Sequence, residues 1–456
     1  MIHVRDLSIP GILDSVSFDV AAGERVGIIG ESGSGKSMTA LAIMGLLDAL
    51  SLPGPVTGSV TVRGTEMVGT PDRVRRRVRG RSVAMVFQEP LSALDPLTKV
   101  GRQVSRDRAT ARALLAEVGV DRPDAYPHEL SGGQRQRVLI AAALAADPDV
   151  LICDEPTTAL DVTVQRQVLD LVDRLVCERN MALIFISHDL AVVRRMAERV
   201  LAFRDGRVLA ADSDYARSLA DASRPRPPAT ARPTGAPVIE LDDVTLTRGS
   251  TTVLRGVSLS VAAGERLGIV GGSGSGKSSL LRLIAGLSKP DRGSGTVRVH
   301  GDVQMVFQDP YSSLDPRMPV GASITETGAS PQRAARMLAR VGLEGVDKQL
   351  PREFSGGQRQ RISIARAAAP APAILLADEP VSALDVTLRS QVLELIDDVV
   401  ADNTLVFVSH DLGVVRELCP TVAVLHEGRI VEHGATEEIW ANPRHPYTRA
   451  LLEAVL

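Results

Sequence analysis

Short, almost uninterrupted apolar runs recur along the chain, and each is followed by polar or glycine-rich residues and then by an amphipathic segment. In the N-terminal part the runs are residues 25–29, 150–153, 182–186 and 200–203. Apolar runs of this length are typical of strands in a parallel sheet that helices cover on both faces. The pattern therefore predicts an α/β fold whose ligand lies at the carboxyl ends of the strands.

The same pattern occurs twice, which predicts a duplicated domain. Residues 15–25 return as 256–266, 86–90 as 306–310, 130–137 as 354–361, 154–161 as 378–385 and 186–190 as 408–412. The prolines of 224–237 are incompatible with a helix or a central strand. We therefore predict a first domain at 1–211, an extended linker at 212–237 and a second domain at 238–456. A docking peptide within the basic linker is the alternative.

Residues 30–37 and 271–278 are glycine-rich loops that end in Lys-Ser, each between an apolar run and a predicted helix. Glycines let successive backbone N–H groups turn toward phosphate oxygens, and the helix N-terminus adds partial positive charge. Lys36 and Lys277 are expected to reach the β- and γ-phosphates of a nucleotide. The residues expected to contact the nucleotide here are Gly30, Ser32, Gly33, Ser34, Gly35, Lys36, Ser37 and Met38 in the first half, and Gly271, Ser273, Gly274, Ser275, Gly276, Lys277, Ser278 and Ser279 in the second.

An Asp-Glu pair follows an apolar run in each half, at Asp154-Glu155 and Asp378-Glu379. An aspartate at a strand end beside a phosphate loop is expected to hold Mg²⁺, together with the hydroxyl of Ser37 or Ser278. The adjacent glutamate is expected to orient or deprotonate the attacking water. An acidic turn that only caps the next helix is the alternative, and the repetition of the pair argues against it.

Two further polar residues follow apolar runs in both halves. Gln88 and Gln308 are expected to contact the metal and the γ-phosphate through a neutral amide. His188 and His410, each in a Ser-His-Asp-Leu context, are expected to contact the γ-phosphate. A surface glutamine and a histidine that caps a helix or lies in the core are the alternatives.

The sequence Ser-Gly-Gly-Gln occurs at 131–134 and at 355–358, each time before a predicted helix. Such a segment resembles an anion-binding nest, because its glycines permit close approach of the backbone to a phosphate. Each half already has one phosphate loop, so we expect each nest to bind the nucleotide held by the other half. The residues expected to do so are Ser131, Gly133 and Gln134, and Ser355, Gly357 and Gln358.

Composition narrows the possible functions. The net charge is −3 and the pI about 6.3, so no global basic field indicates nucleic-acid binding. The three cysteines show no metal or disulfide spacing, which favours a reducing compartment, and Cys153 is expected to be a small buried residue. We expect neither a signal peptide nor a membrane-spanning segment. The following arginines are expected to form a solvated helix face or edge: Arg73, Arg75, Arg76, Arg77, Arg79 and Arg81.

Taken together, both halves resemble the nucleotide-binding domains of ATP-binding cassette (ABC) proteins, on five ordered motifs that each occur twice. Segments 88–96, 126–129, 154–163 and 445–452 resemble the oligopeptide, dipeptide and nickel importer branch. In that branch two ATPase subunits drive two membrane subunits fed by an extracytoplasmic binding protein; here the two ATPase subunits look fused. The resemblance implies ATP and Mg²⁺ as cofactors, two permease subunits and a solute-binding protein as partners, and a peripheral position on the cytoplasmic face of the membrane.

The resemblance also implies two composite, hydrolysing sites. One combines residues 30–37, Gln88, Asp154, Glu155 and His188 with Ser355, Gly357 and Gln358. The other combines residues 271–278, Gln308, Asp378, Glu379 and His410 with Ser131, Gly133 and Gln134. Asp161 and Asp385 are expected on the loops where the halves meet.

Some features depart from the family pattern. Neither half has the aromatic residue that usually stacks on adenine; residues 9–11 and 246–249 stand there, with Arg248 as a possible substitute. The interval from Lys277 to Gln308 is much shorter than that from Lys36 to Gln88, which predicts a trimmed β subdomain in the second half. The first half has no His-Pro-Tyr-Thr tail of its own. No cysteine cluster follows the second half, so we expect no iron–sulfur site.

The sequence therefore predicts a transport ATPase that drives import of a small solute, with di- or oligopeptides as the favoured cargo and nickel or metallophores as others. An exporter ATPase is one alternative. The other is a soluble twin-cassette ATPase that acts on ribosomes or nucleic acid. The short proline-rich linker and the slightly negative charge argue against that second alternative.

Overall fold

The computed structural model describes residues 1–31, 33–158, 160–210, 213–215, 217, 230, 235–381, 386–400 and 403–454. The predicted site residue Ser32 and the predicted interface residue Asp385 lie outside the described residues. Most of the predicted linker also lies outside them, so the boundaries at 211 and 238 stay a prediction.

The first half has ten strands and eight α-helices among its described residues, plus short 3₁₀ helices at Leu47–Ala49 and Pro127–Glu129. The strands are β1 (Ile2–Ile9), β2 (Leu13–Val20), β3 (Arg25–Gly30), β4 (Thr57–Val62), β5 (Thr65–Glu66), β6 (Val83–Val86), β7 (Val150–Asp154), β8 (Ala182–Ile186), β9 (Arg199–Arg204) and β10 (Arg207–Leu209). The helices are α1 (Lys36–Ile43), α2 (Asp72–Val78), α3 (Pro90–Ala93), α4 (Val100–Val104), α5 (Arg108–Glu117), α6 (Gly132–Leu144), α7 (Val162–Glu178) and α8 (Leu190–Met196).

The second half repeats this order with fewer elements, and its 3₁₀ helix is Pro351–Glu353. The strands are β11 (Pro237–Arg248), β12 (Thr251–Ala262), β13 (Arg266–Val270), β14 (Thr296–Val299), β15 (Val303–Val306), β16 (Ile374–Asp378), β17 (Thr404–Val408), β18 (Thr421–His426) and β19 (Arg429–Ala435). The helices are α9 (Lys277–Ile284), α10 (Pro310–Ser313), α11 (Val320–Thr325), α12 (Pro331–Arg340), α13 (Gly356–Ala368), α14 (Val386–Val400), α15 (Leu412–Leu418), α16 (Thr436–Ala441) and α17 (Pro446–Glu453).

Each half is built on a six-stranded, mainly parallel sheet, which confirms the predicted α/β class. The strand orders are β10-β9-β3-β8-β7-β6 and β15-β16-β17-β13-β18-β19. Only the pairs β9–β10 and β18–β19 are antiparallel. A separate antiparallel sheet accompanies each, in the orders β2-β1-β4-β5 and β12-β11-β14.

Both faces of the first large sheet are buried, as its uninterrupted apolar runs require. Along β8, Phe185 packs with the helices α6 and α7, whereas Ile184 and Ile186 pack with β1 and α1 on the other face. The second half divides its core in the same way, with Phe407 on one face and Val406 and Val408 on the other. Each large sheet is therefore the middle layer of its half.

The antiparallel sheet of the second half is the smaller one, as the short interval predicted. Between α9 and β15, where every residue is described, β14 is the only strand or helix. The first half places β4, β5 and α2 in the corresponding interval. The antiparallel sheet of the second half therefore has three strands instead of four.

The prediction that the arginines between 73 and 81 form a solvated helix face or edge is wrong for Arg75. This residue is only 4% exposed, and its guanidinium forms an ion pair with Asp48. Arg79 is also partly buried and pairs with Asp72 at the start of the helix. The cause is a tertiary contact. One side of α2 packs against the 3₁₀ helix after α1, and the carboxylate of Asp48 lies there beside the guanidinium of Arg75.

Candidate functional site

The predicted site residues of the first half converge at one edge of the large sheet. Strands β3, β8, β7 and β6 are neighbours, so their carboxyl ends lie side by side. The phosphate loop follows β3, His188 follows β8, Asp154 ends β7 and Gln88 follows β6. In the second half β13, β17, β16 and β15 bring the same residue types together. This is the place where open α/β sheets bind ligands.

The first phosphate loop curls around its own lysine. Lys36 is 5% exposed, and its Nζ donates to the carbonyl oxygens of Gly30 at 2.8 Å and Glu31 at 2.7 Å. Gly35, the residue before α1, has a φ of 97°, a conformation in which a side chain is strained. A Cβ there would also lie 2.3 Å from Leu13, so only glycine fits. Met38 lies in the first turn of α1.

The second phosphate loop repeats this geometry. Lys277 Nζ donates to the carbonyl oxygens of Gly271 at 2.7 Å and Gly272 at 2.9 Å. Gly276 precedes α9 with a φ of 109°, and Ser279 lies in the first turn of that helix. Burial lowers the pKa of Lys277, and the charges of Glu379, Asp378 and Asp161 oppose that shift. The ammonium thus lies in a buried pocket that favours an anionic partner.

The two loops fit a phosphate group by their donor chemistry. Ser34 Oγ and Ser275 Oγ are buried, and neither has a hydrogen-bond partner among the described residues. A buried hydroxyl without a partner is costly, and a phosphate oxygen would supply one. A buried lysine and a helix N-terminus lie in the same loop. The loops are therefore suited to a polyphosphate.

A serine and an aspartate meet behind each loop. Ser37 Oγ donates to Asp154 Oδ1, and Ser278 Oγ donates to Asp378 Oδ1, both at 3.1 Å. Burial raises the pKa of Asp154 to about 6; the Ser37 hydrogen bond opposes this shift and the charge of Glu155 adds to it. Burial likewise raises the pKa of Asp378. A hydroxyl and a carboxylate oxygen are ligands that suit Mg²⁺.

The neighbouring glutamate is the centre of a second cluster. Glu155 has a φ of 45°, which turns it away from Asp154. Its Oε2 accepts from Gln88 Nε2 at 3.1 Å and from Thr158 Oγ1 at 3.0 Å, and lies 3.3 Å from His188 Nδ1. Burial disfavours its charge, but the contacts with His188, the Thr158 hydrogen bond and the charge of Lys36 together outweigh burial. The pKa of Glu155 therefore lies below its ordinary value.

The second half has the same cluster with nearly the same distances. Glu379 has a φ of 47°, accepts from Gln308 Nε2 at 3.0 Å and lies 3.3 Å from His410 Nδ1. The pKa of Glu379 is also lowered, because the contacts with His410, the charge of Lys277 and the Gln308 hydrogen bond together outweigh burial. Each glutamate is therefore a carboxylate at neutral pH and can accept a proton. Sequence reasoning placed Gln88 and Gln308 near the metal and did not foresee their bond to the glutamate.

The two Ser-Gly-Gly-Gln segments form N-terminal caps. Ser131 caps α6: its Oγ accepts from Gln134 N at 3.3 Å, and Gln134 Oε1 accepts from Ser131 N at 3.0 Å. Ser355 and Gln358 form the same capping box on α13. A Cβ on Gly133 would lie 2.3 Å from Val164, so this glycine also lets α6 pack against α7. Gly357 lies in the first turn of α13.

One hydrogen bond crosses between the halves at a predicted position. Asp161 caps α7 through Oδ1, which accepts from Val164 N at 3.0 Å, and its Oδ2 accepts from Ser273 N at 3.4 Å. The loop that follows Glu155 in the first half thus contacts the second phosphate loop. The described contacts do not join Ser131 or Ser355 to the opposite loop, so the composite sites stay a prediction.

Sequence reasoning missed two tyrosines at the loops. Tyr215 Oη accepts from Glu31 N at 3.2 Å, and Tyr447 Oη accepts from Gly272 N at 2.6 Å. Tyr447 belongs to the tail that resembles the importer branch, but nothing in its spacing indicated a contact with the loop. Nothing in the sequence indicated Tyr215. It follows β10, the last strand of its half, whereas Tyr447 lies one helix beyond the last strand of the second half, so the two tyrosines share no spacing.

Comparison with known proteins agrees with this geometry. The family model described as ABC transporter matches residues 13–158 and 254–382, once in each half. The peptidoglycan transport ATP-binding protein YejF of Agrobacterium fabrum is 38% identical, over 100% of this chain and 96% of that protein. The oligopeptide transport ATP-binding protein OppD of Mycobacterium tuberculosis is 38% identical, over 96% and 94%. The first alignment runs over 525 positions, so that relative has segments this chain lacks.

A solved structure shares the fold over nearly the whole chain. The archaeal ribosome recycling factor aABCE1, in complex with ribosomal stalk protein aP1, matches with a TM-score of 0.70 at 21% identity, over 96% of this chain and 90% of that one. Similarity at this identity supports the fold alone. The family matches and the relatives show more: the chain belongs to the ABC transporter family, and it is an ATP-binding, ATP-hydrolysing protein with two ABC ATPase repeats.

Proposed function

We propose that the chain is the ATPase of an ABC importer, which couples ATP binding and hydrolysis at two composite sites to import of a di- or oligopeptide. The observation that carries the proposal is the repetition of one chemical arrangement. The Ser–Asp bond, the Gln–Glu bond and the His–Glu contact occur in both halves with distances that agree within 0.1 Å. Two equivalent hydrolytic sites are what a symmetric ATP-driven motor requires.

Each phosphate loop is proposed to hold the β- and γ-phosphates of ATP through its backbone N–H groups and its lysine. Mg²⁺ would be held by Ser37, Asp154 and Gln88 in the first half, and by Ser278, Asp378 and Gln308 in the second. When bound, Mg²⁺ neutralises charge on the β- and γ-phosphate oxygens. Among the described residues no group of three or more His, Cys, Asp or Glu side chains forms a metal site. This suits Mg²⁺, which usually takes one or two carboxylates plus substrate phosphates and water.

Glu155 and Glu379 are proposed as the general bases. Their lowered pKa values keep them ionised, so that they can accept a proton from the attacking water. His188 and His410 each contact one carboxylate oxygen, of Glu155 and Glu379 respectively. Both histidines are proposed to contact the γ-phosphate. Gln88 and Gln308 donate to the same carboxylates, and they connect the base to the segment that follows β6 or β15.

The contact of Asp161 with Ser273 supports the composite arrangement. It brings the loop after the first catalytic glutamate against the second phosphate loop. In that head-to-tail arrangement, the cap of α6 is proposed to close on the nucleotide of the second loop, and the cap of α13 on that of the first. The capping serines keep their hydroxyl hydrogens, which can be donated to a phosphate.

Membrane subunits are the proposed partners, and exposed apolar residues around the segment that carries each glutamine form the proposed docking site. In the first half Leu91 and Leu97 are 62% and 85% exposed. In the second half Leu287 and Tyr311 are 60% and 63% exposed, and an open cleft of about 690 Å³ lies beside Leu287. Large exposed apolar side chains close together mark interaction sites.

The residues that line the cleft indicate which residue types a docking segment of the partner would have. Besides Leu287 and Phe307, the cations Arg282 and Lys289 line it. A partner segment with apolar and acidic residues would complement it. Among the described residues no helix is long and apolar enough to span a bilayer. We propose a peripheral position on the cytoplasmic face, with two permease subunits and an extracytoplasmic solute-binding protein.

The cargo is proposed from the relatives, because the permease and binding protein select it. The two relatives are named for transport of peptidoglycan and of oligopeptides. We therefore propose peptides as the cargo class of this chain. Copurification with two multi-span membrane proteins and a peptide-binding protein would support the proposal, and copurification with ribosomes instead would contradict it.

The hydrolytic roles are tested by replacing both proposed bases. The variant Glu155→Gln with Glu379→Gln keeps the size and hydrogen-bonding capacity of the two side chains but cannot accept the proton. Steady-state ATPase is expected to fall by about 10²–10⁴ with ATP binding retained. Glu178→Gln, on the exposed surface of α7, is the matched control and should leave the rate unchanged. An unchanged rate in the double variant would refute the assigned roles.

A further inference from the structure

A tyrosine hydroxyl binds the second residue of each phosphate loop. Tyr447 Oη accepts from Gly272 N at 2.6 Å, and Tyr215 Oη accepts from Glu31 N at 3.2 Å. Gly272 and Glu31 occupy the same position in the two loops. The tyrosines come from different places, since Tyr447 lies in α17 and Tyr215 follows β10. The two halves therefore make the same loop contact with tyrosines from different positions in the sequence.

In each half, the side chain that contacts the tyrosine ring lies at the end of an equivalent strand of the large sheet. His426 ends β18, and its ring stacks on Tyr447 with centroids 3.8 Å apart and planes at 21°. Arg204 ends the equivalent strand β9, and its guanidinium lies 5.0 Å above the ring of Tyr215. Stacking and cation–π contacts both hold an aromatic ring in place. Each hydroxyl is thus aimed at its loop by a neighbour from the large sheet.

In the second half, the start of α17 is also tied to the sheet. Glu432 on β19 accepts from the backbone N–H groups of Arg444 at 2.5 Å and His445 at 3.1 Å. His445 Nδ1 in turn accepts from Tyr447 N at 3.2 Å and caps the helix. Rigid elements therefore hold Tyr447 in place, which is what a group that preorganises a site requires.

The tyrosine fixes one end of the peptide unit whose other end holds the lysine. The carbonyl of Gly271 belongs to the same peptide unit as the N–H of Gly272; it accepts from Lys277 Nζ at 2.7 Å, while that N–H donates to Tyr447. In the first half the carbonyl of Gly30 accepts from Lys36 Nζ at 2.8 Å, and the N–H of Glu31 donates to Tyr215. The helix that follows each loop, α1 or α9, holds the C-terminal end of the loop, and the tyrosine holds the N-terminal end.

We propose that Tyr215 and Tyr447 are positioning residues that hold the two phosphate loops in the shape that binds ATP. The proposal rests on the assignment of these loops to ATP phosphates. A loop that is held in its bound shape does not lose conformational freedom when the nucleotide arrives, so affinity rises. Each hydroxyl contacts the backbone of its loop, so the effect is expected on binding and not on the chemical step.

The second loop depends more strongly on its tyrosine. A Cβ on Gly272 would lie 3.1 Å from Tyr447 Oη, so the glycine permits the shorter bond of that half. Burial raises the pKa of Tyr447, and the charge of Asp161 in the first half raises it further. The helix α17 also contacts α7, which Asp161 caps. Tyr447 thus lies where the loop meets the opposite half.

The test compares Tyr447→Phe and Tyr215→Phe, which keep the stacked rings and remove only the hydroxyls. In steady-state ATPase assays KM for ATP is expected to rise about two- to tenfold in each variant, the effect of one hydrogen bond. The larger rise is expected for Tyr447→Phe, and kcat is expected to stay within about twofold. Tyr126→Phe makes the same chemical change at a ring that stacks on His128, and should change neither constant.

Two results would overturn the proposal: an unchanged KM, or a fall in kcat at unchanged KM, which is what a loss of folded protein gives. Equilibrium ATP binding in the Glu155→Gln, Glu379→Gln chain should give the same ratio for Kd. Lys36→Ala with Lys277→Ala tests the loop assignment separately. If ATP binding survives that change, the loops do not hold ATP; if it is lost and the tyrosine variants behave as wild type, only the tyrosine proposal fails.

Discussion

Replacing Asp154 by asparagine is expected to stabilise the nucleotide-free protein at neutral pH while it abolishes ATP hydrolysis. Burial raises the pKa of this carboxyl to about 6, from an ordinary value of 3.8, so its charge is unfavourable in the folded state. A pKa raised from 3.8 to about 6 corresponds to about 3 kcal/mol. Asparagine keeps an oxygen that accepts from Ser37 and carries no charge.

The sign of the pH dependence follows from the direction of the shift. Below about pH 4 the carboxyl is protonated in both states and contributes nothing. Between about pH 4 and 6 the unfolded chain ionises first, so stability falls as pH rises. Above about pH 6 the penalty is complete. Asp154→Asn should therefore stabilise the protein by up to about 3 kcal/mol at pH 7.5 and by about half of that at pH 5.

Thermal unfolding without nucleotide and Mg²⁺, at pH 7.5 and pH 5, measures this effect. About 1 kcal/mol shifts Tm by about 2–4 °C in a unit of 150–250 residues, so a rise of several degrees is expected at pH 7.5. Asp378→Asn should act in the same direction in the second half, because burial raises that pKa too. Asp121→Asn is the exposed control in the first half. A gain that is absent, or equal at both pH values, would refute the reasoning.

Two further predictions concern the surface. Asp48→Ala leaves the guanidinium of Arg75 buried without its carboxylate, so the first half should lose about 1–3 kcal/mol of stability, measured by thermal unfolding; an unchanged Tm would show that the pair contributes nothing. Leu91→Asp with Leu97→Asp should abolish copurification with membrane subunits and leave the ATPase rate of the isolated chain unchanged. Retained copurification would show that the docking surface lies elsewhere.

The sequence was sufficient for the strand ends and the loops because their signals are local. An apolar run, glycines and a Lys-Ser pair define Gly30 to Ser37, and the repeat at Gly271 to Ser278 removes the ambiguity of a single motif. Parallel strands then bring Asp154 to Ser37, since the carboxyl ends of parallel strands lie at one edge of the sheet. The same topology explains why Gln88 and His188 could be placed near the site.

What the sequence could not predict depends on contacts between distant elements. The burial of Arg75 requires α2 to fold back over the turn that carries Asp48. Tyr215 and Tyr447 reach equivalent loop positions from segments that have no common spacing. The bonds of Gln88 and Gln308 to the glutamates are set by side-chain orientation, which the pattern of apolar and polar residues does not encode.

The central claim is that each nucleotide is held by the phosphate loop of one half and the serine cap of the other, and trapped ATP tests it directly. In the non-hydrolysing Glu155→Gln, Glu379→Gln chain, ATP that survives rapid gel filtration is counted. Lys36→Ala with Ser355→Arg damages one composite site and should leave about one trapped ATP per chain. Lys36→Ala with Ser131→Arg damages both sites and should leave none. The opposite pattern, one ATP with Ser131→Arg and none with Ser355→Arg, would show that each half is self-contained and would contradict the account.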